Sequence, residues 1–197
     1  STESNLEKIF RLLDALGRCI VFVDEADQAL GRRNSDSGDS GVSGRVYGMM
    51  AERMSDSRNR GRILWALATS RPDLVEVDLK RPGRVDVKIP IFPTSTPEEG
   101  YQLIRALAKR RGVTFEKTLP EAFRASIPDL LTPGAAEALS VKLYRALKTG
   151  STSPEDALAA ALRDYQPPVP LAVIHAQIDL AVAEATDLGF VPERFRK

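Results

Sequence analysis

The chain has 197 residues, 43% apolar and 28% charged, with a formal net charge of +1. That length fits one large domain or two small ones, either able to bury a proper core. The near-zero charge gives no overall pull toward nucleic acid or membrane, although local patches can act inside a neutral whole. No apolar run approaches the about 20 residues that span a bilayer. The single cysteine, Cys19, excludes an internal disulfide and fits a reducing compartment. Ser1 to Leu16 is polar and amphipathic, unlike a signal peptide, so the expected location is cytoplasmic. The absence of a starting methionine suggests a cut or processed product.

Leu6, Ile9, Phe10, Leu12, Leu13 and Leu16 share a helical face across Glu3 to Leu16, and Gly17 is a stop signal. Cys19-Ile20-Val21-Phe22-Val23 is an unbroken apolar run, which predicts a strand buried on both faces of a parallel sheet. Gly31 to Gly44 is rich in Gly, Ser and Asp and reads as a mobile surface loop. Arg45 to Ser55 reads as a helix, and Ile63 to Ala68 as a second buried strand. Strand, helix, strand at these lengths is a βαβ unit, so an α/β fold is expected.

Beyond Pro93 the pattern becomes helical: Pro97 to Arg110, Leu119 to Ser126, Pro133 to Lys148 and Pro154 to Tyr165. Proline opens several of these, where its missing N–H costs nothing. The proline-rich stretch after Gln166 breaks the chain again before a last helix from Leu171 to Asp187. Three parts follow: 1–93, 94–166 and 167–197. Lys109-Arg110-Arg111 reads as a solvated helix end, His175 as a polar position on the last helix, Cys19 as a small core residue and Trp65 as sheet packing.

Three places carry possible chemistry. The first strand ends in Asp24-Glu25, and parallel strands present their C-terminal ends to a ligand crevice. Carboxylates there either hold a magnesium ion through water and orient an attacking water, or merely cap the strand. Ser70, just beyond the second strand, either contacts a phosphate or water, or caps a turn. In Arg81-Pro82-Gly83-Arg84 two arginines bracket a turn, and their planar forks suit phosphate oxygens. Solvated surface charges are the alternative.

In their order and spacing these segments resemble the AAA+ ATPases, within them the AAA clade, over nearly the whole chain. CIVFVDEAD is similar to the Walker B strand, and ILWALATSRPDLVEVDLKRPGRVDVKI to the second region of homology. STESNLEKIF resembles the preceding helix, and LTPGAAEAL the lid segment beside the nucleotide. The resemblance implies a partial parallel-sheet core of the P-loop NTPase type followed by an all-helical lid. It implies that Asp24 holds magnesium through water and that Glu25 polarises the attacking water. It places Ser70 at the sensor 1 position, which is usually asparagine, and the shorter serine calls for a bridging water. Arg81 and Arg84 fall on the arginine fingers, which act on a neighbouring subunit's nucleotide. Gly134 and Ala135 fall beside the adenosine.

Two further features depart from the pattern. The only histidine, His175, lies far beyond the usual lid position, and no GxxxxGK[ST] occurs in the 197 residues. The expectation is therefore a segment that neither binds ATP and Mg2+ tightly nor hydrolyses ATP by itself. Its parent is expected to be an oligomeric ring, a hexamer, of copies that couple ATP hydrolysis to remodelling of a macromolecule, a protein. Neither membrane nor nucleic acid is called for. The alternative is a non-catalytic AAA-like binding or scaffold module, for which the acidic pair and the two arginines together have no chemical use.

Overall fold

The computed structural model describes residues 2–30, 40–150 and 152–196. They form two compact units, Ser1–Ile89 with Glu184–Thr186, and Pro90–Ala183 with Asp187–Lys197. The first unit runs α1 (Thr2–Leu16), β1 (Cys19–Val23), α2 (Ala26–Leu30), α3 (Ser40–Ser55) and β2 (Ile63–Leu67), then single 3₁₀ turns at Pro72–Leu74 and Val77–Lys80. β1 and β2 pair in parallel, Cys19 beside Ile63 through Val23 beside Leu67. Of the expected loop from Gly31 to Gly44, residues 31–39 lie outside the described residues. The helix after it begins at Ser40, ahead of the expected Arg45.

A two-stranded sheet is marginal in water unless a hydrophobic face is packed against something. Here the packing comes from helices. Met50, Ala51 and Met54 of α3, Leu30 of α2, and Val75 and Leu79 form a buried cluster. Leu6 and Phe10 of α1, Val23 of β1, and Trp65 and Leu67 of β2 pack against it. Ion pairs Arg45–Glu3 and Arg53–Asp14 tie α3 to α1, with the Arg53 guanidinium 5.5 Å from the centre of the Phe10 ring.

The expectation of strands buried on both faces does not hold among the described residues. Cys19, Val21 and Val23 are half-buried, whereas Ile20 is 70% and Phe22 66% exposed; their neighbour Leu64 on β2 is 62% exposed. Side chains alternate across a strand, so one face meets the helices and the described elements leave the other uncovered. On α1 likewise only Leu13 is buried, while Ile9, Leu12 and Leu16 are exposed. The apolar band is wider than the face that the helices cover.

The second unit is helical: α4 (Pro97–Arg110), the short α5 (Glu121–Arg124), α6 (Pro133–Thr149), α7 (Pro154–Arg163) and α8 (Leu171–Glu184). Three helices open on the same device. Thr96, Thr132 and Ser153 stand before Pro97, Pro133 and Pro154, and each hydroxyl accepts a backbone N–H three residues on. Such a cap contributes about 1 kcal/mol, and proline at the next position fixes a helical φ. Tyr101, Ile104 and Ala108 of α4 pack with Leu139 and Leu143 of α6 and with Leu158 and Leu162 of α7. α8 packs through Ile174 and Ile178 onto Leu130, with Phe92 and Phe195 stacked at 5.2 Å beside them.

The basic run at the end of α4 is not solvated throughout. Lys109 and Arg110 are exposed. Arg111 pairs with Glu137 and donates from Nε to the fully buried Ser140 hydroxyl at 3.1 Å. The pattern of charges could not show this, because the partners come from α6.

Among the described glycines of this unit, Gly100 on α4 leaves the least room for a side chain. A Cβ there would lie 2.6 Å from Cγ2 of the buried Ile127. Overpacking of this kind costs about 1–3 kcal/mol, against the roughly 1 kcal/mol that alanine gains over glycine in a helix. Gly100→Ala is therefore expected to lower stability by about 1 kcal/mol, read as an earlier midpoint in urea denaturation followed by circular dichroism.

Candidate functional site

The parallel register brings the acidic pair and Ser70 to one end of the sheet. Val23 and Leu67 are the last paired residues, and Ala68 N–H donates to Val23 O at 2.9 Å. Ala26 N–H in turn donates to Ala68 O at 2.9 Å. Asp24-Glu25 and Thr69-Ser70 therefore leave the sheet side by side, with Asp24, Glu25 and Ser70 exposed.

Glu25 adopts a positive φ of 49°, in the left-handed region. A residue with a Cβ pays about 1 kcal/mol or more to sit there. Two local interactions hold the turn: Glu25 N–H donates to Asp24 Oδ1 at 2.9 Å, and Glu25 O accepts from Gln28 N–H at 2.9 Å as α2 starts. Neither carboxylate is paired with a cation among the described residues. Nor does any group of three or more His, Cys, Asp or Glu side chains there form a metal cage. This donor set suits a hard cation that keeps water and takes its remaining ligands from phosphate, the habit of Mg2+.

Thr69 and Asp27 were not visible as site residues in the sequence. The Thr69 hydroxyl is hydrogen-bonded to Asp27 Oδ1 and accepts Arg71 N–H at 2.9 Å, clipping the loop after β2 to the start of α2. Arg71 pairs with Asp73 at 2.8 Å and leaves the loop's polar end to Ser70.

The arginine turn is shaped by Gly83, whose φ of +91° follows Pro82, with Arg84 N–H donating to Arg81 O at 3.2 Å. This is the proline-then-glycine order of a type II turn. It brings both guanidinium groups onto one carboxylate, Asp78. Arg81 Nη1 lies 3.3 Å from Asp78 Oδ1, and Arg84 Nη1 pairs with Asp78 Oδ2. Arg84 is further held by Ser55 Oγ of α3, which accepts Nε–H at 2.8 Å, and by Asp78 O at 3.2 Å. The Tyr47 hydroxyl reaches Asp78 at 3.4 Å. The hydrogen bond from Arg84 holds the Asp78 carboxyl below its usual range, while burial and then Asp78 push the Tyr47 phenol up. The two arginines are consequently unlike: the Arg81 side chain is 72% exposed and that of Arg84 27%. Asp78 lies three residues before Arg81, a spacing the sequence could have flagged; Tyr47 and Ser55 could be found only from the packing of α3. No hydrogen bond or ion pair joins this turn to Asp24 or Glu25 among the described residues.

In the second unit Gly134 and Ala135 lie in the first turn of α6. Ala135 is buried in the helical core and donates its N–H to Thr132 Oγ1, whereas Gly134 is exposed, with open space where a Cβ would stand.

Comparison with known proteins agrees with this layout. Residues 1–92 match the family described as ATPase family associated with various cellular activities (AAA). Over that segment, just under half of the chain, the sequence is similar to the AAA ATPases. An α/β AAA+ core followed by helices is the fold described above. The peroxisomal ATPase PEX1 of Saccharomyces cerevisiae is 31% identical over 111 residues, 56% of this chain and 10% of that protein. The putative ribosome biogenesis ATPase nvl of Dictyostelium discoideum is 28% identical over 110 residues, 55% of this chain and 13% of that protein. Protein SAV of Sulfolobus acidocaldarius is 34% identical over 95 residues, 48% of this chain and 12% of that protein. The matched stretch is thus about a tenth of the length of these relatives. ATP hydrolysis is a property of the AAA family, and no helix among the described residues is long and apolar enough to cross a membrane.

The strained turn at Glu25 has a measurable consequence. Glu25→Gly removes the Cβ penalty but adds unfolded-state freedom, so the net gain in stability is expected to be a few tenths to about 1 kcal/mol. A raised melting temperature of the chain by differential scanning calorimetry is the expected readout.

Proposed function

We propose that this chain is part of an ATP-hydrolysing AAA+ module whose full-length oligomeric parent couples hydrolysis to the remodelling of a macromolecule, a protein. The observation that supports it best is the parallel register, which sets Asp24-Glu25 and Ser70 side by side at the C-terminal ends of two strands. Phosphoryl transfer asks little covalent chemistry of a protein; it needs positioning and charge stabilisation. Asp24 would hold a magnesium ion through water, and Glu25 would accept a hydrogen bond from the attacking water and orient it. Ser70, shorter than asparagine, acts through a bridging water. Bound Mg2+ supplies neutralisation of phosphate charge. Arg81 and Arg84 serve the nucleotide of the next subunit in a ring, a hexamer, and Gly134 leaves room beside the adenosine. The 197 residues contain no GxxxxGK[ST], so by themselves they lack the phosphate cradle and are inactive.

In the full-length protein, Glu25→Gln is expected to retain ATP while turnover falls by about 10²–10⁴-fold, the range for loss of a positioned base. Nucleotide retention on a filter together with steady-state phosphate release measures both. Near wild-type turnover would remove Glu25 from the chemistry.

Arg84→Ala should lower turnover by about 10³-fold or more with ATP affinity nearly unchanged, because each subunit's own pocket is untouched. Mixing that variant with Glu25→Gln should restore part of the activity, since a site with intact Glu25 then receives arginines from its Glu25→Gln neighbour. Demonstrated co-assembly without any rescue argues for a self-contained ATPase.

A further inference from the structure

We infer that Asp78 is a carboxylate latch that docks the Arg81 and Arg84 guanidinium groups on their own subunit and must release them for hydrolysis on the next one. This rests on the reading of the two arginines as groups acting on a neighbour's nucleotide.

Two cations converge on a single carboxylate here, one on each oxygen. Arg84 is the more firmly held, since Ser55 Oγ takes Nε–H and Asp78 O takes a hydrogen from Nη1 as well. These are the same fork edges that a phosphate would engage, because guanidinium presents one planar set of donors to either anion. A docked Arg84 therefore has to exchange its carboxylate and hydroxyl partners before it can serve phosphate oxygens. The exchange is possible because the latch is accessible: the Asp78 side chain is 43% exposed. It sits on the single turn Val77–Lys80, just before the Arg81–Arg84 turn.

An interaction made in the resting state and given up in the transition state slows the reaction. Removing the Asp78 charge should then accelerate it, the opposite of what loss of a structural ion pair would do. The effect is bounded by the modest strength of a half-exposed pair, so a rise of about two- to five-fold is expected. The KM for ATP should not move, since the latch lies outside each subunit's own nucleotide pocket.

The test uses the assembled full-length protein with ATP and Mg2+. Asp78→Asn keeps the shape and removes the charge, and kcat is expected to rise with KM unchanged. Ser55→Ala removes only the Nε acceptor and should raise kcat in the same direction, by a smaller factor. It decides the matter if Asp78→Asn fails to assemble. In Asp78→Asn/Arg84→Ala the gain should vanish, because there is no longer a finger to release. A kcat at or below wild type in assembled Asp78→Asn, or in Ser55→Ala where Asp78→Asn does not assemble, overturns the latch, as does a gain that survives Arg84→Ala. The underlying reading fails differently: Arg81→Ala/Arg84→Ala would then turn over like wild type. Low turnover in that double variant, with no gain from Asp78→Asn, removes the latch alone.

Discussion

Parallel pairing of β1 with β2 is the constraint on which the rest of the first unit depends. Parallel strands cannot be joined by a tight turn, so the chain must cross over, and α3 makes that crossover. The crossover brings a packing face with it: Met50, Ala51 and Met54 cover the sheet side that carries Val23, Trp65 and Leu67. The same register that ends on Val23 beside Leu67 decides which polar residues emerge together. A slip of one residue would turn every side chain of one strand to the other face and separate Asp24 from Ser70.

α3 has a second task at its C-terminal end. Ser55 is one of its last residues, and Tyr47 lies two turns earlier; both reach the Asp78–Arg84 group. The helix that covers the sheet thereby also holds the arginine turn. The pairing is asymmetric. Arg84 is mostly covered and multiply bonded, while Arg81 extends into solvent with a single shared carboxylate. Two arginines that look equivalent in the sequence are therefore different groups physically, Arg84 docked through several bonds and Arg81 held by one exposed ion pair. The uncovered sheet face, with Ile20, Phe22 and Leu64 in one apolar patch, is composed like a strand face that packs against something.

The helical unit is built on other terms. Its caps are local, each made within four residues, and its core is a continuous set of apolar side chains from α4, α6 and α7. Helices of this kind draw their boundaries from nearby residues and their stability from burial. Ala135 belongs to that core, whereas Gly134 stays at its surface, so the two residues of the Gly-Ala pair do different things: one packs and one leaves space.

Much of this was legible in the amino-acid order, because it depends on neighbours within a few positions. The two strands, the proline-opened helices and the end of α4 at Arg110 follow from apolar periodicity and proline's missing N–H. The acidic pair at the end of an apolar run and the Pro-Gly turn between two arginines are also local. Other features needed the folded chain. α2 was hidden because five residues carry too little period to read. The strain at Glu25 was hidden because a φ is imposed by the surroundings and not by the side chain. Thr69 joins Asp27 across 42 positions, Arg84 joins Ser55 across 29, and Arg111 joins Glu137 across 26. A strand's composition says that it suits burial, but only the packing decides which face is covered. Local order thus determined which groups are present and how each segment coils; tertiary structure decided their partners, because charge and hydrogen bonding are settled by distance in space.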